Sequence, residues 1–468
     1  MKTRFCPSPT GMLHLGNART ALFNALLAQK EQGIFLLRIE DTDQSRSEIK
    51  HIDLLQHDLR WLNIHWNEGP DVGGNNGPYW QSQRHAIYDN YYHQLEKAER
   101  VYPCFCTDQE LALNRKIQLS RGQAPRYPGT CAKLTAKEIN DKLANGLKPA
   151  LRFKVPAKTK IEFTDLIKGT QVFQSDDIGD FIIRRADGSS SFMFCNAIDD
   201  SLMGVTCAIR GEDHLTNTPR QLMILQALNL RAPEYGHLSL ITGDDGTPLS
   251  KRHGSFSVNE MREQGFLPIA LGNYMARLSH TYDSQKLLSF TELSENFQIN
   301  RLSRSPTRFD MNQLLHWQKE AVMTLDVTSA WQWLGDEIKA KVPTAMQNEF
   351  VEMMRHNILF PKEAAHWAKV LFNDSLLLTA DQIAILKEAG KDFFAALLTG
   401  VEQHNLDIKA ILNQVKNQCS VSGKQLFMPV RIALTGEQHG PELLHIVNLL
   451  GKEKVRKRFH HALDLAGT

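Results

Sequence analysis

The sequence predicts an α/β protein: a doubly wound parallel sheet at the N-terminal end, split by an inserted α+β domain and followed by all-α domains. Three observations predict it. Strand, helix and strand succeed one another within residues 3–39. Residues 101–187 then change character, and the α/β pattern resumes at 191. From about 256 onward helix follows helix, with no strand run of comparable strength.

Residues 3–6 are short and apolar, and Pro7 and Pro9 end them. Gly11 and Gly16 flank His14, and Asn17 is the expected cap of the next helix. That helix is read over 18–29 (ARTALFNALLAQ), where apolar residues recur at three and four, and Gly33 stops it. Residues 34–39 (IFLLRI) form an apolar strand apart from Arg38. This is the pattern of a parallel βαβ unit, whose ligands bind beyond the carboxyl ends of the strands. The His14 loop and the cluster Glu40-Asp41-Thr42-Asp43 both fall there. Helices are expected around 45–62 and 84–99. The insertion carries three cysteines and β-like segments at 150–155 and 179–185. Strand and helix signals return over 191–210. Thr218-Pro219-Arg220-Gln221 has capping-box spacing with proline at the first helical position. A short strand is expected at 238–241. The helical half contains candidates at 268–278, 329–340, 346–356, 362–372, 381–389 and 440–450.

A chain of 468 residues is too long for one core, and two to four domains are expected. Hydrophobic residues make up 42% and charged residues 23%, the composition of an ordinary globular protein. The net charge of +2 excludes a histone-like binder but leaves local RNA-binding patches open. No apolar run reaches membrane-span length, and the first residues lack an apolar signal core, so a cytoplasmic protein is expected. Seven sparse cysteines do not make a disulfide framework.

Three groups of residues carry chemistry. At the His14 turn, the start of a helix offers free N–H groups and positive dipole to a phosphate. Gly16 lets a nucleotide approach the backbone, and His14 can donate to a phosphoryl oxygen. Taken alone, the loop reads equally as a turn histidine in a capping role. The second group is the loop LSKRHGSFS at 249–257, with Lys251 beside Arg252. Phosphoryl and nucleotidyl transfer build negative charge, which an ammonium next to a guanidinium offsets. The plainer reading is a solvated basic loop. The third group is Cys104-Phe105-Cys106 with Cys131 further on, a zinc geometry lacking one ligand. Three reduced thiols without metal are the alternative. A basic run, Lys452, Lys454, Arg456, Lys457 and Arg458, reads first as a solvated helix face. Trp317, Trp331, Trp333 and Trp367 read first as core residues.

PSPTGMLHLGN resembles the HIGH motif, and LSKR the KMSKS motif, of class I aminoacyl-tRNA synthetases. RFCPSPTG, ALFNALLA, LRIEDTD, DDSLMGVTCAIRGEDHLTNTPRQL and LSKRHG resemble the bacterial glutamyl-tRNA synthetases. The similarity runs in blocks from residue 2 to about 315, and more weakly to the end through RIALTG and LLGKE. It implies a Rossmann-type catalytic domain in two halves, 1–100 and 188–242. It further implies an acceptor-binding insertion at 101–187, a KMSKS-loop and stem-contact domain at 243–315, and an anticodon-binding domain at 316–468.

The resemblance implies that L-glutamate and ATP with Mg2+ react to glutamyl-adenylate and that the glutamyl group passes to tRNA, with tRNA needed for the first step. His14, Lys251 and Arg252 are then the catalytic residues. Pro9, Thr10, Gly11, His14, Gly16, Asn17, Ser250 and Lys251 would hold ATP. Arg4 and Arg210 would take the side-chain carboxylate of glutamate and Glu40 its ammonium, with Ser8, Phe192 and Asn196 as further contacts. Asp199 and Asp200 fall in a stretch the family uses to line the pocket. From sequence alone, Arg4 and Glu40 read as an ordinary surface ion pair, and Asn196, Asp199 and Asp200 as turn chemistry. Two positions depart from the family: Phe192 stands where it usually has tyrosine, and Pro248 where it has the first lysine of the loop. Some members bind zinc in the insertion, with a histidine two residues after the last cysteine. Here that residue is Lys133, and Tyr127 is the alternative fourth ligand. The implied partner is tRNA: tRNA for glutamate, with tRNA for glutamine left open as a second substrate, and no membrane. A monomer is expected. The helical tail would read the anticodon; the related glutaminyl enzymes are expected to have a β-barrel tail instead.

Overall fold

The computed structural model describes residues 1–42, 49–249, 257–373 and 376–467. The chain forms two compact units, Met1–Glu263 with Pro268–Met311, and Gln264–Leu267 with Asn312–Thr468.

The first unit is built on parallel strand pairs. Lys2–Phe5 pairs with Ile34–Leu37, and Cys207–Gly211 with Glu234–Leu238. The Thr206 N–H donates to the Lys2 carbonyl at 2.9 Å and brings the two pairs together. A third pair joins Ile241–Thr242 to Thr307–Arg308. The crossover helix Leu15–Lys30 buries its Ala, Leu and Phe face against the sheet. It starts three residues before the sequence expectation. His14, in extended backbone, is the N-cap, and Asn17 lies inside the first turn instead of capping it. The turn needs no polar cap, because the chain before it is fixed by prolines and the start of the helix is fixed by buried Leu13 and Leu15.

The helices expected at 45–62 and 84–99 appear as Ile49–Trp61 and His85–Lys97. The insertion is a three-stranded antiparallel sheet, Val101–Cys104, Ala150–Phe153 and Phe181–Arg184, with helices Asp108–Ser120 and Ala136–Ala144. It also carries a hairpin, Lys160–Asp165 with Gly169–Gln174, that the sequence reading missed. The stretch after Ser191 is the helix Phe192–Leu202 followed by the strand Cys207–Gly211. The helix Thr218–Ala227 has proline in its first turn, as its sequence suggests. Its N-cap is Asn217, however, and no capping box forms there. The Thr218 hydroxyl is engaged elsewhere, as described below.

The second unit is a helical assembly from Val327–Leu334 to Leu443–Leu465, closed around Phe350, Leu371, Phe394, Val430 and Phe459. The last helix is broken at Gly451 (φ 71°), near the expected end at 450. Trp367 belongs to this core, and Trp331 and Trp333 pack against it, with the Trp333 indole donating to the Gly265 carbonyl at 2.9 Å. Trp317 is also buried. The basic run is not a free solvated face. Lys452 and Arg456 pair with Glu402, and Lys454 donates to the Leu371 carbonyl. Arg458 is 5% exposed and donates to the carbonyls of Leu434, Val370 and Asn373 at the ends of two helices. A cation at helix C-termini complements their dipoles and orphan carbonyls. Among the described residues no helix is long and apolar enough to cross a membrane.

Candidate active site

A cavity of about 650 Å³ opens at the carboxyl ends of the parallel strands. Arg4, Ser8, Glu40, Phe192, Asn196 and Arg210 line it, together with Thr10, Gly16 and Asn17. Every glutamate contact implied by the resemblance therefore shares one cavity with three of the implied ATP contacts. Pro9, Gly11 and His14 belong to the same turn but do not line the cavity. The His14 side chain makes no cap hydrogen bond.

Ser250, Lys251 and Arg252 lie outside the described residues, as does Asp43. The residues on either side of 250–256 are described. Pro248 lines the cavity, and the Leu249 N–H donates to the Ile241 carbonyl at 2.9 Å. Ser257 bridges to His14, and the Val258 N–H donates to the Leu13 carbonyl at 2.9 Å. One flank is thus held at the cavity wall and the other at the His14 turn.

The wall is backed by a buried charge network. Arg38, in the strand-to-loop junction, is fully buried. It lies 2.8 Å from Asp200, 3.2 Å from Glu40 and 3.8 Å from Asp199. Arg4 donates to Asp200 at 3.2–3.3 Å and to the Ile209 carbonyl at 3.2 Å. Arg84, Tyr88 and Gln81 converge on Asp199 at 2.7, 2.7 and 2.8 Å. Asn196 donates to Glu40 at 2.6 Å and accepts from Gln221 at 2.8 Å. Burial pushes the Glu40 carboxyl upward against the pull of Arg38 and Asn196. Burial also opposes the charge on Asp200, but Arg4 and Arg38 outweigh it and hold that carboxyl low. Two expectations are corrected here. Arg4 and Glu40 are not an exposed ion pair with each other; each has its own buried partner. Asp199 and Asp200 neither line the cavity nor sit in a turn. They lie on the helix Phe192–Leu202 and face inward onto three arginines. Arg38, Arg84 and Tyr88 escaped the sequence reading, although an arginine inside an apolar strand was the available signal.

Arg210 is different. Among the described residues it makes no ion pair. Its Nε donates to His237 at 3.1 Å and its Nη2 to Thr218 at 2.7 Å, while its buried Nη1 has no partner. Burial lowers it to about 10. Phe192 faces the cavity beside the His214 ring, 5.0 Å between centroids.

Among the described residues, one group of thiols has metal-ligand geometry. The sulfurs of Cys104, Cys106 and Cys131 lie within 4.8 Å of one another. The Tyr127 hydroxyl is 3.5 Å from the Cys104 sulfur and 3.4 Å from that of Cys106, and it accepts the Cys131 N–H at 2.9 Å. Arg152 donates to the Cys104 sulfur at 3.1 Å and stacks over the Tyr127 ring at 3.7 Å. Three soft donors and a phenol around one point fit a closed zinc site. Lys133 is exposed at the end of the turn Thr130–Lys133.

Known proteins agree with this geometry. Residues 1–316 match the model for "tRNA synthetases class I (E and Q), catalytic domain", and residues 317–463 match "Anticodon binding domain". "Glutamate--tRNA ligase 2" of Coxiella burnetii is 52% identical over 463 residues, covering 99% of each chain. "Glutamate--tRNA ligase 1" of Halorhodospira halophila is 53% identical over 466 residues, covering 100% of this chain and 97% of that one. A crystal structure of a glutamate tRNA ligase from Elizabethkingia meningosepticum, in complex with its amino acid, superposes with a TM-score of 0.90 at 27% identity over 99% of both chains. With a catalytic-domain and an anticodon-domain model matched in succession and relatives aligned over nearly the whole chain, the chain belongs to the class I tRNA synthetases of the E and Q group, the family of the glutamate--tRNA ligases.

Proposed function

We propose that the chain is a glutamate--tRNA ligase. It activates L-glutamate with ATP to glutamyl-adenylate and transfers the glutamyl group to the 3′ end of tRNA. In the first step the α-carboxylate attacks the α-phosphate and pyrophosphate leaves. In the second step the terminal ribose hydroxyl attacks the mixed anhydride and AMP leaves. No protein atom needs to become covalently attached, so the task of the residues is positioning and charge stabilisation.

The roles follow from charge. Arg210 and Arg4 receive the side-chain carboxylate, and Glu40 takes the ammonium. Ser8, Phe192 and Asn196 shape the space between them. Thr10, Gly16 and Asn17, with Pro9 and Gly11 in the same turn, receive the nucleotide. His14, Lys251, Arg252 and Ser250 act on the phosphates. Magnesium, when bound with ATP, adds positive charge to the triphosphate. Zinc, when bound, would be held by Cys104, Cys106, Cys131 and Tyr127 and would fix the strand Val101–Cys104 to the turn Thr130–Lys133. The insertion meets the acceptor end of tRNA and the helical tail its anticodon. We further assign the enzyme to the cytoplasm, as a monomer, with tRNA for glutamate as its first substrate.

The observation that carries this reading is the single cavity. It joins guanidinium groups, a carboxylate and a helix N-terminus; one flank of the Lys251 segment lines it at Pro248 and the other is bridged to the His14 turn beside it. The test is pyrophosphate exchange with and without tRNA, followed by charging of tRNA for glutamate and tRNA for glutamine side by side. Glutamate-dependent exchange that appears only with tRNA is expected. Exchange driven by another amino acid and not by glutamate would refute the assignment. Charging of tRNA for glutamine as well would widen the substrate range without changing the chemistry.

A further inference from the structure

The buried polar groups behind Arg210 form a chain that ends outside the catalytic sheet. Asp165 closes the first strand of the insertion's hairpin and is 2% exposed. Its Oδ2 lies 2.5 Å from the His237 Nδ1. Its Oδ1 accepts the N–H groups of Ile167, Lys168 and His237 at 2.9, 2.7 and 3.3 Å. His237 is fully buried in the strand Glu234–Leu238, and its Nε2 faces the Arg210 Nε at 3.1 Å and the Thr218 hydroxyl at 3.1 Å. The hairpin is seated firmly on this strand. The Leu166 N–H donates to the Tyr235 carbonyl at 2.8 Å, and a Cβ on Gly236 would meet Ile167 at 3.4 Å.

The protons in this chain follow from the donors. A carboxylate that accepts three backbone N–H groups is ionised and can only accept. The His237 Nδ1 must then carry the ring proton, which leaves a bare lone pair on Nε2. A guanidinium can only donate, so the Arg210 Nε–H finds the acceptor it needs. Burial together with the nearby Arg210 charge keeps the imidazole neutral, against the pull of Asp165. The arrangement orients the guanidinium without neutralising it. An acid at position 237 would pair with Arg210 directly and compete with an incoming carboxylate.

We propose that Asp165 and His237 are positioning residues for glutamate binding. The insertion's hairpin fixes the tautomer of His237, and His237 aims the uncompensated Arg210 guanidinium at the side-chain carboxylate of the substrate. This rests on the glutamate ligase reading above, and the wild-type chain in the same experiment tests that reading separately.

The experiment measures KM for glutamate and for ATP by pyrophosphate exchange in the presence of tRNA. Asp165→Asn is the main variant. Its amide oxygen keeps the backbone N–H groups, while its NH2 turns toward the His237 Nδ1. The ring proton must then move to Nε2, where it opposes the Arg210 Nε–H. The expected result is a KM for glutamate raised about tenfold or more, with KM for ATP moved less than about twofold. His237→Leu should behave alike, and His237→Gln, whose amide oxygen can accept from Nε, should recover most of the loss. A folded Asp165→Asn variant with unchanged KM for glutamate overturns the proposal, as does an equal rise for glutamate and ATP, which marks a merely structural role. A wild-type chain that activates no glutamate overturns both readings; an active wild type with unmoved variants overturns this one alone.

Discussion

Replacing Arg38 with Met tests the electrostatic account of the cavity wall most sharply. Among the described residues, Arg38 is the one cation that touches Glu40, Asp199 and Asp200 together. In its absence Asp200 keeps Arg4, and Asp199 keeps Arg84, Tyr88 and Gln81. Glu40 keeps only Asn196 among the contacts described above. Removing one partner from a buried pair costs about 3–5 kcal/mol, because it strands a buried charge. Glu40 can escape part of that cost by taking up a proton. Its folded pKa would then stand further above its unfolded value, so the folded variant binds more protons than the unfolded chain. Stability is therefore lost as pH rises through the folded pKa, and the deficit of the variant widens as pH climbs from the usual carboxylate range toward neutrality and above. At the upper end, a loss of roughly 3 kcal/mol corresponds to about 5 °C in the melting temperature of a unit of this size. Calorimetry of wild type and Arg38→Met across that range gives the answer. A deficit under about 1.5 °C, or one that does not grow with pH, would refute the claim that Arg38 holds an ionised Glu40 in place.

Phe192→Tyr should restore a hydroxyl to the cavity, and a hydrogen bond to a charged ligand is worth about 1.5–3 kcal/mol. After ordering costs, KM for glutamate is expected to fall about threefold to tenfold; an unmoved KM means the hydroxyl finds no partner there. Arg458→Met leaves the carbonyls of Leu434, Val370 and Asn373 without their shared donor. The transition of the helical unit should fall by about 2–4 kcal/mol in urea, and a loss below about 0.5 kcal/mol would show that water replaces the guanidinium. His280 is buried and lowered to about 4 by burial, and its Nε2 accepts the Gln298 N–H at 3.0 Å. The unfolded chain therefore binds the extra proton first, and stability falls as pH drops from about 6.5 toward 4, by up to about 3 kcal/mol. His280→Gln should flatten that slope in acid melts, and an unchanged slope excludes His280 as its source. Metal analysis of the purified chain should find about one zinc per chain, and Cys104→Ser should lose it; a metal-free wild type with reduced thiols counts against the site.

Much of this was legible because it is local. Apolar spacing gave the crossover helix, and an uninterrupted apolar run gave the strand Ile34–Leu37. Cys104, Cys106 and Cys131 announced themselves by identity and spacing, and the structure gathers their sulfurs. The hairpin Lys160–Asp165 with Gly169–Gln174 was missed because its strands are half exposed and mix Thr, Gln and Lys among the apolar positions. Position 17 was misread as a cap because Asn is a frequent capping residue. The true start at Leu15 is set by burial, which local composition does not report. The partners of Arg38, Arg84 and Arg458 were illegible for a deeper reason. Each is joined to residues far away in sequence, and periodicity shows which face is buried but not which polar groups meet inside.

If Arg210 receives the substrate carboxylate, as proposed above, the distribution of charge around the cavity selects an acid over its amide. Arg4 and Glu40 at the wall pair with Asp200 and Arg38 behind it, and Arg84 with Asp199, so this network is balanced in charge. Arg210 stands at the wall outside that balance, held by the neutral acceptors His237 and Thr218. In the proposed role, glutamate would supply the missing anion. Glutamine offers an amide of nearly the same shape, and its NH2 would face a donor that has nothing left to give it but another N–H. The amide oxygen could accept one N–H, but the desolvated guanidinium would remain without a counter-charge. The cost of a buried charge without its partner is about 2–5 kcal/mol, which corresponds to roughly 30-fold to several thousandfold in kcat/KM. Discrimination on that scale needs no editing site. It requires only that the fold satisfy Arg210 geometrically while leaving its charge for the substrate.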